Sequence, residues 1–395
     1  MTQALLGPRV FTGERMLDGH AVLVESGRIV AVTPAHALPQ DIARHALPSD
    51  HLLAPGFIDL QVNGAGGVLF NDTPTVEAAI AIAAAMRRGG ATGLLPTFIT
   101  DAPERTAQAC AAIEAALARE GSGVLGLHLE GPFISPERPG VHDTRFIREP
   151  DEATLASLCS LAQRLARQGA RLLMTLAPER VPDSAIARLF AAGAVLAAGH
   201  TAASHERAHQ AVRAGVRGFT HLFNAMPPIG NRQPGPVLAG LDSDEAWCSV
   251  IADGFHVHPA NLRLLLKVKP KGKVVLVTDA MSPVGTAATS FTLCGRTILR
   301  RDGRLVTEDG TLAGADIDLA HAVRNAVEWL GVPLDEALRM ASLYPARALG
   351  MEQERGRIAA GHRADLTLLR ADLTIAATWV AGREHRAEDL ASATN

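Results

Sequence analysis

Gly126-Leu127-His128-Leu129-Glu130-Gly131-Pro132 is the stretch on which the fold turns. A short apolar run with alternating character reads as a buried strand, and Gly-Pro ends it. The last residue before that break is a carboxylate. The same design recurs along the chain, with polar residues gathered where apolar runs stop. The others are Asp59-Leu60-Gln61-Val62-Asn63, Gly199-His200-Thr201, Thr220-His221-Leu222-Phe223-Asn224, Asp253-Gly254-Phe255-His256 and Thr278-Asp279-Ala280. The runs themselves predict eight strands: Leu53–Gln61, Gly93–Phe98, Val124–Leu129, Arg171–Leu176, Ala194–Ala198, Gly218–Leu222, Cys248–Ile251 and Lys273–Val277. Between them lie helix-period segments at Thr75–Arg88, Pro103–Ala118, Glu152–Gln168, Ser184–Ala192, Ser204–Ala214 and Pro259–Leu266. Strand–helix units repeated eight times in about 250 residues predict an α/β fold, a (β/α)8 barrel, whose strand ends share one mouth. A doubly wound open sheet is the runner-up, weakened because no GxGxxG follows the first strand.

Outside the alternation both ends are β-type. Ala21–Glu25 and Arg28–Val32 flank Ser26-Gly27 as a hairpin, and Ala364–Leu369 and Thr378–Val380 are strand-like. The two ends are expected to pair into one small β-sandwich domain, residues 1–52 with 354–395, beside a barrel at 53–353. Two Pro/Gly-rich stretches, Phe133–Pro150 and Asn224–Asp242, read as long functional loops.

The 395 residues carry 38 Lys+Arg, 41 Asp+Glu and 15 His, a formal net charge of −3. That balance argues against a nucleic-acid or polybasic membrane-surface binder. With 47% hydrophobic and 20% charged residues the chain is globular. Its four cysteines, Cys110, Cys159, Cys248 and Cys294, show no CxxC spacing and read as buried free thiols of a reducing compartment. The N-terminus has no signal-peptide pattern, and the apolar stretches Ala78–Met86 and Leu189–Gly199 are too short to span a bilayer. The expectation is a soluble cytoplasmic protein.

In a barrel register Glu130, His200 and His221 converge as one carboxylate and two imidazoles, a recurrent set for a catalytic divalent metal that leaves a position open for water. Asp279 stands where a general base would take that water's proton. A strand-terminal His or Asp taken singly is more often structural; the joint placement carries the metal reading. His128 shares the strand with Glu130 and reads as a core histidine. His205 and His209, spaced i, i+4, lack the full HExxH pattern and read as a solvated helix face. His36, His45, His51, His362 and His385 carry no signal.

At these residues the chain resembles the amidohydrolase superfamily, in its branch of amino-sugar-phosphate deacetylases. The matching segments are 55–64, 126–133, 198–201, 220–227, 251–257 and 277–281, with a closing strand at 361–369. The resemblance implies a metal-dependent hydrolase that converts N-acetyl-D-glucosamine 6-phosphate to D-glucosamine 6-phosphate and acetate. It implies Glu130, His200 and His221 as metal ligands, Asp279 as acid/base and His142 as the active-site histidine. It implies substrate contacts at Val141, Asn224, Ala225, Arg232, Asp253, Gly254, Phe255, His256, Leu312, Ala313 and Gly314. Arg232 would reach the partner's site in a homodimer. Many superfamily members place His-x-His at the end of strand one and bind a second metal. Here the position is Gln61-Val62-Asn63, and amides are weak zinc ligands. One metal, zinc or ferrous iron, is therefore expected, with Gln61 and Asn63 a vestigial second position. The nearest alternative is the N-acetylgalactosamine 6-phosphate analogue. A carboxylated-lysine site lacks its lysine. A non-catalytic sugar-phosphate-binding barrel would lack the base or a ligand.

Overall fold

The computed structural model describes residues 2–386. Eight parallel strands form its centre, in spatial order equal to chain order: β1 (Phe57–Val62), β2 (Ala91–Ile99), β3 (Gly126–Glu130), β4 (Arg171–Leu176), β5 (Val195–Ala198), β6 (Val216–Phe219), β7 (Trp247–Ile251) and β8 (Val274–Val277). The first and last strands meet: Val62 bridges Ala280, Asp279 N–H donates to Gln61 O at 3.0 Å, and Asn63 N–H donates to Ala280 O at 2.9 Å. The sheet is thus the predicted barrel. Its strands are apolar on both faces because one face fills the interior and the other meets helices.

The helices are α1 (Val76–Met86), α2 (Pro103–Leu117), α3 (Glu152–Arg167), α4 (Asp183–Ala191), α5 (His205–Ala214), α6 (Gly235–Asp242), α7 (Pro259–Val268) and α8 (Leu319–Glu328). Their starts are written locally. Thr75, Asp151 and Ser204 accept the N–H of Ala78, Thr154 and Arg207, and Pro103 opens α2 where no N–H is needed. Leu334–Ala341 and Leu343–Ala348 add two further helices after α8.

The expected first strand, Leu53–Gln61, is two strands. Leu52–Pro55 lies in a separate sheet and the barrel begins at Phe57. Gly56 turns the chain between them, where a Cβ would lie 2.0 Å from Thr92 Oγ1. The stretch Asn224–Asp242 is not all loop, since α6 occupies its second half. Between β8 and α8 the chain builds a four-stranded antiparallel sheet, Ser290–Leu293, Arg296–Arg301, Arg304–Val306 and Leu312–Ala315. Its last strand bridges Ala280 through Ala315 and so hangs on the end of β8.

The termini form two facing sheets. Gln3–Leu6, His20–Glu25, Arg28–Pro34 and Ala43–Ala46 make one. The other interleaves both ends in the order Arg383–Arg386, Ile375–Val380, Leu366–Leu369, Leu52–Pro55, Arg9–Phe11 and Met16–Leu17. A core with Leu5, Val22, Ile29, Leu53, Leu366 and Trp379 fills the space between them. Residues 387–395 of the expected small domain lie outside the described part. The cysteines are free, but only Cys248 is buried and Cys294 is exposed. Among the described residues no helix is long and apolar enough to cross a membrane.

Candidate metal centre and active site

The strand ends deliver their side chains to one cavity of about 350 Å³, within the range of small-molecule sites. Its wall includes Asn63, Glu130, Val141, His142, His200, His221, Asn224, Ala225, His256, Asp279, Leu312 and Gly314. The backbone that presents the key groups is strained. His200, His221 and Asp279 have φ of +47°, +32° and +53°, in the left-handed region that non-glycine residues avoid. Such strain persists where surrounding bonds over-determine it. Here the ladder runs on past the strands. Gly199 N–H donates to Leu176 O, Thr220 N–H to Ala198 O, and His221 N–H to Ser249 Oγ at 2.8 Å.

Glu130 Oε1 lies 2.9 Å from His221 Nε2 and 3.2 Å from His200 Nε2, and the two Nε2 atoms are 3.2 Å apart. His142 Nε2 stands 3.9 Å from Glu130 Oε2. All four side chains are buried. The proton inventory tests whether a metal ion fits. His200 Nδ1 is 2.9 Å from Arg138 O, so it donates there, and its Nε2 meets Glu130 Oε1 as a lone pair unless a proton or a metal ion stands between them. Two lone pairs at 3.2 Å repel; a cation between them converts that contact into attraction. Carboxylate and imidazole are also the donor set that divalent zinc or iron takes. Burial works against the charge of Glu130, yet the bonds from His200 and His221 hold its carboxyl well below the usual range. Burial also opposes the charge of His221, but Glu130 raises its pKa.

Asp279 is pushed up to about 6 by burial and by the charge of Glu130, with His221, His256 and the Asn63 bond opposing. Its Oδ1 accepts from Asn63 Nδ2 at 2.7 Å and from Gln61 Nε2 at 3.1 Å. Gln61 Nε2 also lies 3.2 and 3.3 Å from the two Glu130 oxygens, so one amide ties both carboxylates together. The amide oxygens, Gln61 Oε1 and Asn63 Oδ1, are buried without a partner among the described residues. Below them Asp59 is pushed up to about 7 by burial, although Thr278 Oγ1 donates to it at 2.6 Å.

His142 Nδ1 meets Thr100 Oγ1 at 2.9 Å, and burial and the charge of His200 lower its pKa to about 3, so the ring is neutral. His128 is a core histidine. It is fully buried between Thr97 Oγ1 at 3.1 Å and Thr175 Oγ1 at 2.8 Å, with its pKa lowered to about 4 by burial.

The other expected contacts divide. Of Asp253–His256 only His256 lines the cavity. Asp253 Oδ2 holds its Nδ1 at 2.6 Å, and Oδ1 accepts the N–H groups of Phe255 and His256. Phe255 is exposed, with Arg304 over its ring, and Gly254 packs against Trp329. Ala313 is buried in the small core beneath the four-stranded sheet, while Leu312 and Gly314 face the cavity. Gly314, at φ +69°, has no room for a Cβ, which would lie 2.4 Å from Met281 Cγ. Arg232 is exposed and away from its own chain's cavity wall. The sequence did not point to Arg138, which lines the cavity with its Nε unpaired among the described residues, or to Thr100 behind His142.

Barrels that carry a buried carboxylate and imidazoles at the C-terminal mouth form a class, the hydrolases able to hold a catalytic metal ion, and fold and site place this chain among them. The chain belongs to the amidohydrolase family: that family's model matches residues 52–385, and a model described as the NagA composite domain matches residues 3–51. It is similar to an N-acetylgalactosamine-6-phosphate deacetylase of Shewanella sp. (strain ANA-3), 38% identical over 378 residues, covering 95% of this chain and 94% of the relative. It is 36% identical over 386 residues to the N-acetylglucosamine-6-phosphate deacetylase of Haemophilus influenzae, covering 97% and 99%. The crystal structure of N-acetylglucosamine-6-phosphate deacetylase from Pasteurella multocida superposes with a TM-score of 0.93 at 36% identity, covering 98% of this chain and 100% of that one.

Proposed function

We propose that this chain is a metal-dependent deacetylase that hydrolyses N-acetyl-D-glucosamine 6-phosphate to D-glucosamine 6-phosphate and acetate. One observation carries the reading: the Glu130–His200–His221 triangle and the carboxyl of Asp279, tied to Glu130 through Gln61, share one cavity. A divalent ion held by Glu130, His200 and His221, zinc or ferrous iron, supplies Lewis acidity toward water and the amide carbonyl.

Asp279 does the proton work. Its Oδ1 is occupied by Gln61 and Asn63, which leaves Oδ2 to take the proton of the attacking water. The same oxygen then delivers the proton to the departing amine, a poor leaving group until protonated. His142 faces the acyl oxygen. With Thr100 Oγ1–H donated to Nδ1, its Nε2–H points into the cavity as an oxyanion donor. His256, braced by Asp253, and Arg138 supply donors and charge toward the phosphate, with backbone at Asn224 and Ala225. Arg232, exposed on its loop, serves the partner's site in a homodimer. Gln61 and Asn63 hold the base and do not hold a second metal.

The galacto epimer is the second reading, favoured by the name of the Shewanella relative. Steady-state acetate release from N-acetylglucosamine 6-phosphate, N-acetylgalactosamine 6-phosphate and the unphosphorylated sugars decides between them. The gluco phosphate should have the highest kcat/KM; the galacto phosphate ahead of it would reverse the assignment. Asp279→Asn should lose about 10²–10⁴-fold in kcat with the metal content unchanged. Near-wild-type turnover in that variant would remove Asp279 as the acid/base.

A further inference from the structure

On the outer helical layer, His205 and His209 stand one turn apart on α5 with ring centroids 4.5 Å apart. Their Nε2 atoms point at the two oxygens of one carboxylate, Asp242 at the end of α6, at 2.8 and 2.9 Å. We infer that α5 and α6 carry a second, peripheral site for a divalent transition-metal ion of the zinc class, liganded by His205, His209 and Asp242.

Four features support it. The i, i+4 spacing puts both imidazoles on one helix face, the arrangement by which helical histidine pairs bind zinc. One candidate atom from each of the three residues lies within 4.8 Å of the others, close enough for one ion to replace the two protons that now join the imidazoles to Asp242. The carboxylate is preorganised. Buried Lys269 reaches from beyond α7, and its Nζ donates to Gly240 O at 2.9 Å, Ala246 O at 2.8 Å and Ser243 O, fixing the backbone on both sides of Asp242. The chain there reads Leu241-Asp242-Ser243-Asp244-Glu245, an acidic segment that draws cations.

Both helices join the active site. α5 follows His200-Thr201, and α6 closes the segment bearing His221, Asn224, Ala225 and Arg232. An ion here ties the two supports of that segment together without touching the cavity. The site uses none of the residues at the barrel mouth and stands whatever the barrel binds.

Equilibrium dialysis of the holoprotein against micromolar free Zn²⁺, with metal counted per chain, tests it. Wild type should take up one more equivalent than His209→Ala or Asp242→Asn, and Zn²⁺ should raise its Tm more than theirs. Turnover of His209→Ala at full active-site loading should equal that of wild type, which separates lost binding from misfolding. Glu206→Ala, a neighbouring exposed charge, should keep the extra equivalent. Equal zinc uptake by wild type and His209→Ala overturns the inference, as does loss of the equivalent in Glu206→Ala, which would make the uptake a matter of surface charge.

Discussion

At the residue scale the decisive feature is how few groups share so many tasks. Asn63 touches only Asp279 Oδ1 among the reacting groups, at 2.7 Å, and that bond lowers the Asp279 pKa against burial and the charge of Glu130. Removing it has a definite sign. In Asn63→Ala the carboxyl loses a donor that favours its charged form, so its pKa rises. Asp279 acts as a base only when ionised, so activity falls as pH drops through that pKa, and the variant should begin to lose activity at a higher pH than wild type. Losing the donor also frees the carboxyl that Asn63 positions, so kcat at the pH optimum should fall with KM little changed. A kcat–pH profile checks both. An acid limb that stays in place would show that Asn63 does not hold the base. Glu130, His200, His221 and Asp279 were legible in the sequence because the barrel rule converts a position at a strand end into a position at the mouth. Arg138 was not, because it sits in the Phe133–Pro150 loop, whose path is set by tertiary contacts such as Ser135 N–H to His200 O. Thr100 and the left-handed backbone of the three site residues leave no mark in composition or period.

At the scale of elements, the seam between β1 and β8 closes the barrel, and Asp59 sits in it fully buried. Its folded-state pKa is about 7, raised from 3.8 by burial. A raised carboxyl pKa means that the folded state holds the proton more tightly than the unfolded chain. The stability that this contributes is complete below about pH 4 and is lost as pH rises through about 7. Asp59→Asn removes the titration and can keep the bonds. Its oxygen accepts the N–H groups of Gln61 and Thr278, and Thr278 Oγ1 turns to Gln61 O, 3.3 Å away. The variant should therefore gain Tm on wild type between pH 5 and 8, measured by calorimetry across that range. Parallel curves would show that Asp59 is ionised in the fold throughout. The same seam explains why one strand was read where two exist. Leu52–Pro55 and Phe57–Val62 are both apolar and largely buried, so no change of period marks Gly56, where the chain leaves one sheet for another. The four-stranded sheet after β8 went unread for the opposite reason. Its strands are short and only partly buried, with charge gathered in Arg296–Arg301, and the buried residues are few: Leu293, Ile298, Leu305, Ala313 and Ala315.

Across the whole molecule, the sheet built from both ends is the joint between two cores. One of its faces packs into the terminal core through Leu53, Leu366 and Trp379, and the other reaches the barrel core through Phe11, Ala54, Leu369 and Ile375. Hydrogen bonds stitch the same joint: Gly56 N–H to Asp365 O at 2.9 Å, and the Thr367 side chain, Oγ1–H, to Gly90 O at 2.9 Å, a carbonyl that also accepts Phe57 N–H at 3.1 Å. A sheet shared by two cores couples their unfolding, because exposing either strips the sheet that the other needs. Trp379, 2% exposed, is the largest side chain in the terminal core. Trp379→Ala should cost about 3–5 kcal/mol, and the loss should appear as one displaced transition in calorimetry and in circular dichroism alike. Turnover well below that transition should stay near wild type, since Trp379 belongs to the terminal core and not to the cavity wall. Two transitions, with only the lower one moved, would show instead that the terminal sheets melt alone and that the barrel stands without them.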